Sequence, residues 1–156
     1  MPLVNLLPED LPVASGCSPA SPPVPLPGSV SDISCTGDPG LPASTIYAYQ
    51  FDSEADYVAS LAAYNRAKGF DPAAANPNCP PQADAVGQVT WNNQLYPTRN
   101  DQILECFTQS GTDTPTSPTY IWTIPTQFAF VEALSSPTTT FNQLDTWWTN
   151  DAGPFN

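Results

Sequence analysis

Proline placement constrains this chain more than any other feature of it. Twenty of its 156 residues are proline, and proline removes a backbone donor and clashes with the preceding turn of a helix. Residues 1–12 carry Pro2, Pro8 and Pro12, so they cannot form a long helix. Leu3, Leu6, Leu7 and Leu11 in that stretch still need cover. The expectation is an arm that packs across the domain surface or onto a neighbouring subunit. Residues 15–28 hold Cys17 with Pro19, Pro22, Pro23, Pro25 and Pro27, a stiff extended loop pinned by its cysteine. Residues 1–28 are therefore read as a proline-rich arm and residues 29–156 as one domain.

Regular structure is expected in the windows between prolines. Ser29–Cys35 reads as a first strand, and Thr36-Gly37-Asp38-Pro39-Gly40 as a turn. Thr45–Phe51 is the clearest strand, with Tyr47, Tyr49 and Phe51 on one face. Asp52 and Ser53 then open a helix whose apolar side is Tyr57, Val58, Leu61, Ala62 and Tyr64, with Gly69 as its stop. Glu54 and Asp56 at its start, and Arg66 and Lys68 at its end, suit the helix dipole. Residues 70–85 read as loop around Cys79. Strands are expected at Val86–Trp91, Ile103–Phe107, Tyr120–Ile124 and Gln127–Leu134. A turn is expected at Asn92-Asn93-Gln94 and a polar loop at 109–118, with Pro125 as a break. A short helix closes the chain. Thr140 and Gln143 form its capping box, and Phe141, Leu144 and Trp148 share a face with Trp147 beside them. Such a helix is too short to stand alone and is expected as a lid on the sheet. The order predicts an α+β fold, an antiparallel sheet with two helices packed on one face.

Charge and residue content exclude whole classes of chemistry. There are 3 Lys+Arg against 15 Asp+Glu, a formal net charge of −12, and no histidine. Without a basic stripe, nucleic acid is not an expected partner, nor is an anionic membrane surface. Without histidine there is no imidazole base, nucleophile activator or metal ligand. Carboxylates remain. Asp145 and Asp151 flank the adjacent tryptophans, and Asp145, Asn150 and Asp151 offer oxygen ligands that match no EF-hand loop. Tyr47, Tyr49, Tyr57, Trp91, Trp122 and Trp147 either build the core or line an apolar pocket. No enzyme activity, cofactor or metal is expected. The residues expected to contact a ligand or partner are Tyr47, Trp122, Trp147 and Trp148.

Four cysteines, Cys17, Cys35, Cys79 and Cys106, have neither CxxC nor zinc-like spacing. Three pairings are open. The preferred one runs in chain order, Cys17–Cys35 and Cys79–Cys106, closing two modest loops worth ~3 kcal/mol each by loop entropy. Two disulfides point to an oxidising compartment or an exterior surface. Met1–Leu11 has no basic start and no adequate apolar run, so no signal peptide is read there, and no stretch reads as a transmembrane span.

Several motifs occur in one order: Leu6-Leu7-Pro8 before Cys17, the strand ending in Cys35, the Tyr47/Phe51 strand feeding the Tyr57–Tyr64 helix, Asn78-Cys79-Pro80 and Trp91. Leu104-Glu105-Cys106, Ile121-Trp122-Thr123 and Leu144-Asp145-Thr146-Trp147-Trp148 follow. From Leu6 to Asp151 this set resembles the extracytoplasmic C-terminal, sensor-like domain of mycobacterial and other actinobacterial serine/threonine protein kinases, and related stand-alone envelope proteins. The resemblance implies a disulfide-bonded α+β domain outside the cytoplasmic membrane that senses or binds and has no catalysis of its own. The kinase half is absent, so phosphoryl transfer is not carried over.

The expected function is thus a non-catalytic binding or sensor-like module of the cell envelope, or a secreted one, with a protein or small-ligand partner. The alternative is a structural protein on the virion surface of an actinobacterial phage, decorating the capsid or associated with the tail. Its apolar arm would then lie on a neighbouring subunit.

Overall fold

In a computed structural model, residues 16–19, 26–37, 40–79, 86–91, 100–111 and 114–152 are described. Seven strands form one sheet: β1 (Cys17–Pro19), β2 (Ser29–Thr36), β3 (Ala43–Phe51), β4 (Gly87–Thr90), β5 (Ile103–Gly111), β6 (Thr114–Ile124) and β7 (Ala129–Ser135). The spatial order is β1-β2-β3-β7-β6-β5-β4, and every pairing is antiparallel. Two meanders, β1–β3 and β4–β7, therefore meet at β3 and β7. Helix α1 (Glu54–Lys68) connects them, and α2 (Phe141–Trp147) follows β7.

Both helices are cut to length by their ends. The Ser53 hydroxyl accepts the Asp56 N–H at 3.1 Å, satisfying one of the first-turn donors of α1. Gly69, at φ 85°, ends the helix in the left-handed region. The Gly69 and Phe70 N–H groups then donate back to Arg66 and Asn65, a Schellman close that favours glycine. In α2 the Thr140 hydroxyl accepts the Gln143 N–H at 3.2 Å, and the Gln143 side-chain oxygen accepts the Thr140 N–H at 2.8 Å, the expected capping box. Beyond Trp147 the chain widens into a π turn, Trp148–Ala152.

Strand alternation builds two apolar faces. Ile46, Ala48, Leu104, Tyr120, Trp122, Ile124, Val131 and Ala133 turn to one side and pack with Leu144 and Trp147 of α2. Tyr49, Phe51, Phe107, Ile121 and Phe130 turn to the other and pack with Tyr57 and Tyr64 of α1. The expectation of both helices on one face is therefore corrected: they lie on opposite faces. A sheet carrying large apolar side chains on both sides has to be covered on both.

Further corrections concern extents. Cys17–Pro19, inside the segment read as loop, is the edge strand β1, paired with β2 through Cys17 and Cys35. Most of the expected polar loop 109–118 lies in β5 and β6. Thr114–Pro118 pairs with β5 alone, beyond the last β7 partner at Thr119; an unpaired side is where a strand tolerates proline. On α1, Val58 is 55% exposed, and the covered side is Tyr57, Ser60, Tyr64 and Asn65. Polar Ser60 and Asn65 are buried because partners wait for them: Ser60 Oγ donates to the Pro27 carbonyl and Asn65 to Glu105. The expected turn at 92–94 and residues 1–15 of the arm lie outside the described residues.

The disulfides pair in chain order, Cys17–Cys35 and Cys79–Cys106. The first staples β1 to β2, and the second ties the loop before β4 to β5. Gly87 sits opposite Cys106 in the β4–β5 register. A Cβ there would meet the Asn78 carbonyl oxygen at 1.9 Å and Cys106 Sγ at 2.6 Å, so the stapled loop runs where a side chain would stand.

Candidate functional site

A single row of side chains crosses the sheet on the α1 face. Successive pairings align Ser34 of β2, Tyr47 of β3, Glu132 of β7, Ile121 of β6, Glu105 of β5 and Gln88 of β4. Residues in register on adjacent strands point the same way, so one slice of this face carries two carboxylates. Glu132 is 0% exposed and Glu105 1%.

Helix α1 supplies partners to both. Tyr64 donates its phenol to Glu132 Oε2, and Lys68 Nζ stands 3.5 Å from Glu132 Oε1 and 5.1 Å from the Tyr64 ring centroid. Asn65 Nδ2 donates to Glu105 Oε1 at 2.8 Å. Burial pushes the Glu132 carboxyl up to about 8 and the Lys68 ammonium down. Both shifts have one cause, since low-dielectric surroundings penalise each charged form. Burial also raises Glu105 to about 7, with the Asn65 hydrogen bond pulling the other way. Tyr47 is half-buried in this row, and burial, then the nearby Glu132, raises its phenol.

The two carboxylates differ in access. Glu132 is enclosed. Glu105 lines a groove of about 390 Å³ between α1 and the β4–β5 end of the sheet. Tyr57, Val58, Leu61 and Ile103 form its apolar walls, with Glu54 and Asp101 also lining it. Glu105 Oε2 and Asn65 Oδ1 are buried without a hydrogen-bond partner among the described residues. Both are acceptors.

The opposite face has its own concavity, about 790 Å³, beside α2. It is lined by Leu41 and Pro42 from before β3, Ser136 and Thr139 from after β7, and Gln143 and Trp147 from α2. Trp147 is 3% exposed, so it contributes only an edge. Trp148 is half-buried and makes edge contacts with Trp91, Tyr120 and Trp122, with ring centroids 6.3–6.4 Å apart. Such tilted arrangements are the favourable ones for aromatic quadrupoles. Tyr120 also donates to Asp145 Oδ1 at 2.8 Å, tying β6 to α2.

The residues expected from sequence to contact a partner thus part company. Trp122 is fully buried beneath α2 and presents no surface. Trp147 and Trp148 stand near it on the same face. Tyr47 is on the other face with Glu132. The aromatic pocket considered from sequence does not form, because Tyr47, Tyr49 and Tyr57 are divided by the sheet from Trp91, Trp122 and Trp147. The Asp151 side chain lies outside the described residues, and no group of three or more potential metal ligands occurs among the described ones.

Glu105, Asn65 and Glu132 were missed as site residues. Their signal is present: Glu105 interrupts Leu104-Glu105-Cys106-Phe107, and Glu132 interrupts Val131-Glu132-Ala133. An acid inside an otherwise apolar strand is either an outward-facing residue or a buried one with partners. No family model, curated protein or solved structure matches this chain.

Proposed function

We propose that this chain is a non-catalytic, extracytoplasmic binding or sensor-like module, its fold stapled by two disulfides and its recognition surface on the α1 face. The observation that carries the reading is the groove over Glu105. Its walls are largely apolar, and beneath it Glu105 and Asn65 each hold a buried acceptor with no hydrogen-bond partner among the described residues. That is the composition of a recognition site, where apolar area supplies affinity and a few fixed polar atoms supply orientation. The two disulfides favour an oxidising environment for the folded chain. No described helix is long and apolar enough to cross a membrane. In this reading Trp147 offers its edge to a protein partner at the α2 cavity and the half-buried Trp148 a contact beside it, while Trp122 holds the core.

The test is native mass and location. Untagged protein is fractionated from its source and examined by sedimentation and light scattering. A monomer in the envelope or external fraction is the expected result. Co-sedimentation with large particles at many copies each would overturn the reading in favour of a virion structural protein.

A further inference from the structure

The cavity beside α2 is lined by side chains that the local structure holds in place. One wall is the flank of the helix, where Asn142, Gln143 and Thr146 stand at exposed positions. The capping box fixes Gln143. Its Oε1 accepts the Thr140 N–H at 2.8 Å, and a backbone N–H can only donate. The amide nitrogen, with its two donors, is therefore the end left to the cavity. A second wall is the turn after β7. There Ser136 Oγ lies 2.9 Å from Thr138 Oγ1 and 3.0 Å from Thr139 Oγ1, and the Thr139 hydroxyl donates to the Pro42 carbonyl at 3.4 Å. Half-buried Leu41 and Pro42 add apolar lining.

The polar groups on this lining are hydroxyls and carboxamides, which both donate and accept. A cluster of hydroxyls has no fixed polarity, because each can turn its proton to suit its neighbour. The ligand that matches such a wall carries closely spaced hydroxyls of its own on a body with apolar C–H surface. A sugar ring has that make-up. A peptide main chain matches less well, since its donors and acceptors are fixed in kind and alternate along the chain. An anionic ligand would meet the field of a chain whose formal net charge is −12. We propose that the cavity beside α2, about 790 Å³ in volume, binds a neutral saccharide. Its hydroxyls bond Asn142, Gln143 and the hydroxyls of Ser136 and Thr138, and a C–H face lies on Leu41 and Pro42. This rests on reading the α2 cavity as a place where the module meets a partner, and a protein partner would present the sugar as a glycan.

Trp147 is enclosed but for its edge, so it shapes the cavity and does not stack on the sugar. Affinity then comes from hydrogen bonds at positions that water also reaches, each of modest net worth. Binding at a single site is therefore weak, and display in many copies raises it through effective concentration.

The test applies the folded, oxidised protein, coupled in many copies to fluorescent beads, to an array of immobilised neutral, sialylated and sulfated oligosaccharides. Retention on neutral oligosaccharides is expected. The best retained of them is then titrated, free in solution, against the uncoupled protein by NMR. The Asn142 and Gln143 side-chain amides should shift and saturate. Thr146→Trp, which fills the cavity from an exposed position, should abolish binding. Asn142→Ala should weaken it on the order of tenfold and keeps the test valid if the first variant fails to fold. The same oligosaccharide on a carrier protein, before and after its enzymatic removal, separates a glycoprotein source from a polysaccharide one. Retention on none of the array, retention on charged oligosaccharides alone, or binding that either folded variant leaves unchanged would each overturn the proposal. A carrier protein bound equally well after its sugar is removed would overturn the saccharide and leave the binding-module reading standing. Particle association in the fractionation experiment would overturn that reading itself.

Discussion

Glu105 and Glu132 occupy one row of the sheet, on either side of Ile121, and α1 covers both. Two carboxylates buried in one slice make folding depend on protons. In each, burial raises the folded-state value, Glu105 from 4.5 to about 7 and Glu132 from 4.5 to about 8. The folded state therefore binds more protons than the unfolded state between these limits, and stability falls as pH rises. Chemical denaturation should show a decline beginning above pH ~4.5 and levelling above pH ~8. Glu105→Gln should remove a part of that slope worth about 3 kcal/mol. A flat profile, or an unchanged slope in the variant, would contradict the burial of Glu105.

Tyr64 donates to Glu132 from the C-terminal half of α1. Tyr64→Phe keeps the ring packing against Tyr49 and Phe130 and removes only the donor. The Glu132 carboxyl then loses a partner in a dry site, at a cost of about 1–3 kcal/mol. Glu132→Leu strands both the Tyr64 phenol and the Lys68 ammonium and should cost more than Tyr64→Phe, because removing one member of a buried pair leaves the other without compensation. Urea melts of both variants decide the order.

The cystines close loops of 18 and 27 residues in sequence separation. Loop entropy assigns each about 3 kcal/mol, slightly more for the longer. Reduction should lower the melting temperature by many degrees, and an unchanged value would contradict both bridges. Gly87→Ala is a more local probe of the second. Its Cβ would press on the Asn78 carbonyl and Cys106 Sγ, and it should destabilise by about 1–3 kcal/mol, the usual range for overpacking.

Trp122 lies fully buried under α2, whereas Trp148 is half-buried against it. Trp122→Ala should cost about 3–5 kcal/mol. Trp148→Ala should cost less while removing three edge contacts at once. Its expected mark is a large loss of near-ultraviolet dichroism at modest loss of stability. Equal costs would place Trp148 deeper than its half-buried position.

The sequence by itself determined the local features whose physics is local. Ser53 and Gly69 delimit α1, Thr140 and Gln143 cap α2, and Pro125 ends β6. Each acts through backbone groups a few residues away. The antiparallel α+β class followed from strand runs and short connections, and the chain-order disulfides from the preference for modest loops. Tertiary structure decided which face each helix covers and which side chains meet. Periodicity reports that Tyr47, Tyr49 and Phe51 share a side of β3, but not whether α1 or α2 lies over it. The buried run Tyr120–Ile124 carried the hint, since a strand apolar at successive positions needs cover on both faces. The pairing of β3 with β7 was not legible either, because it joins strands separated by α1 and a whole meander. That pairing and the β5–β6–β7 register set Glu105 and Glu132 in one row under α1, and with them the groove.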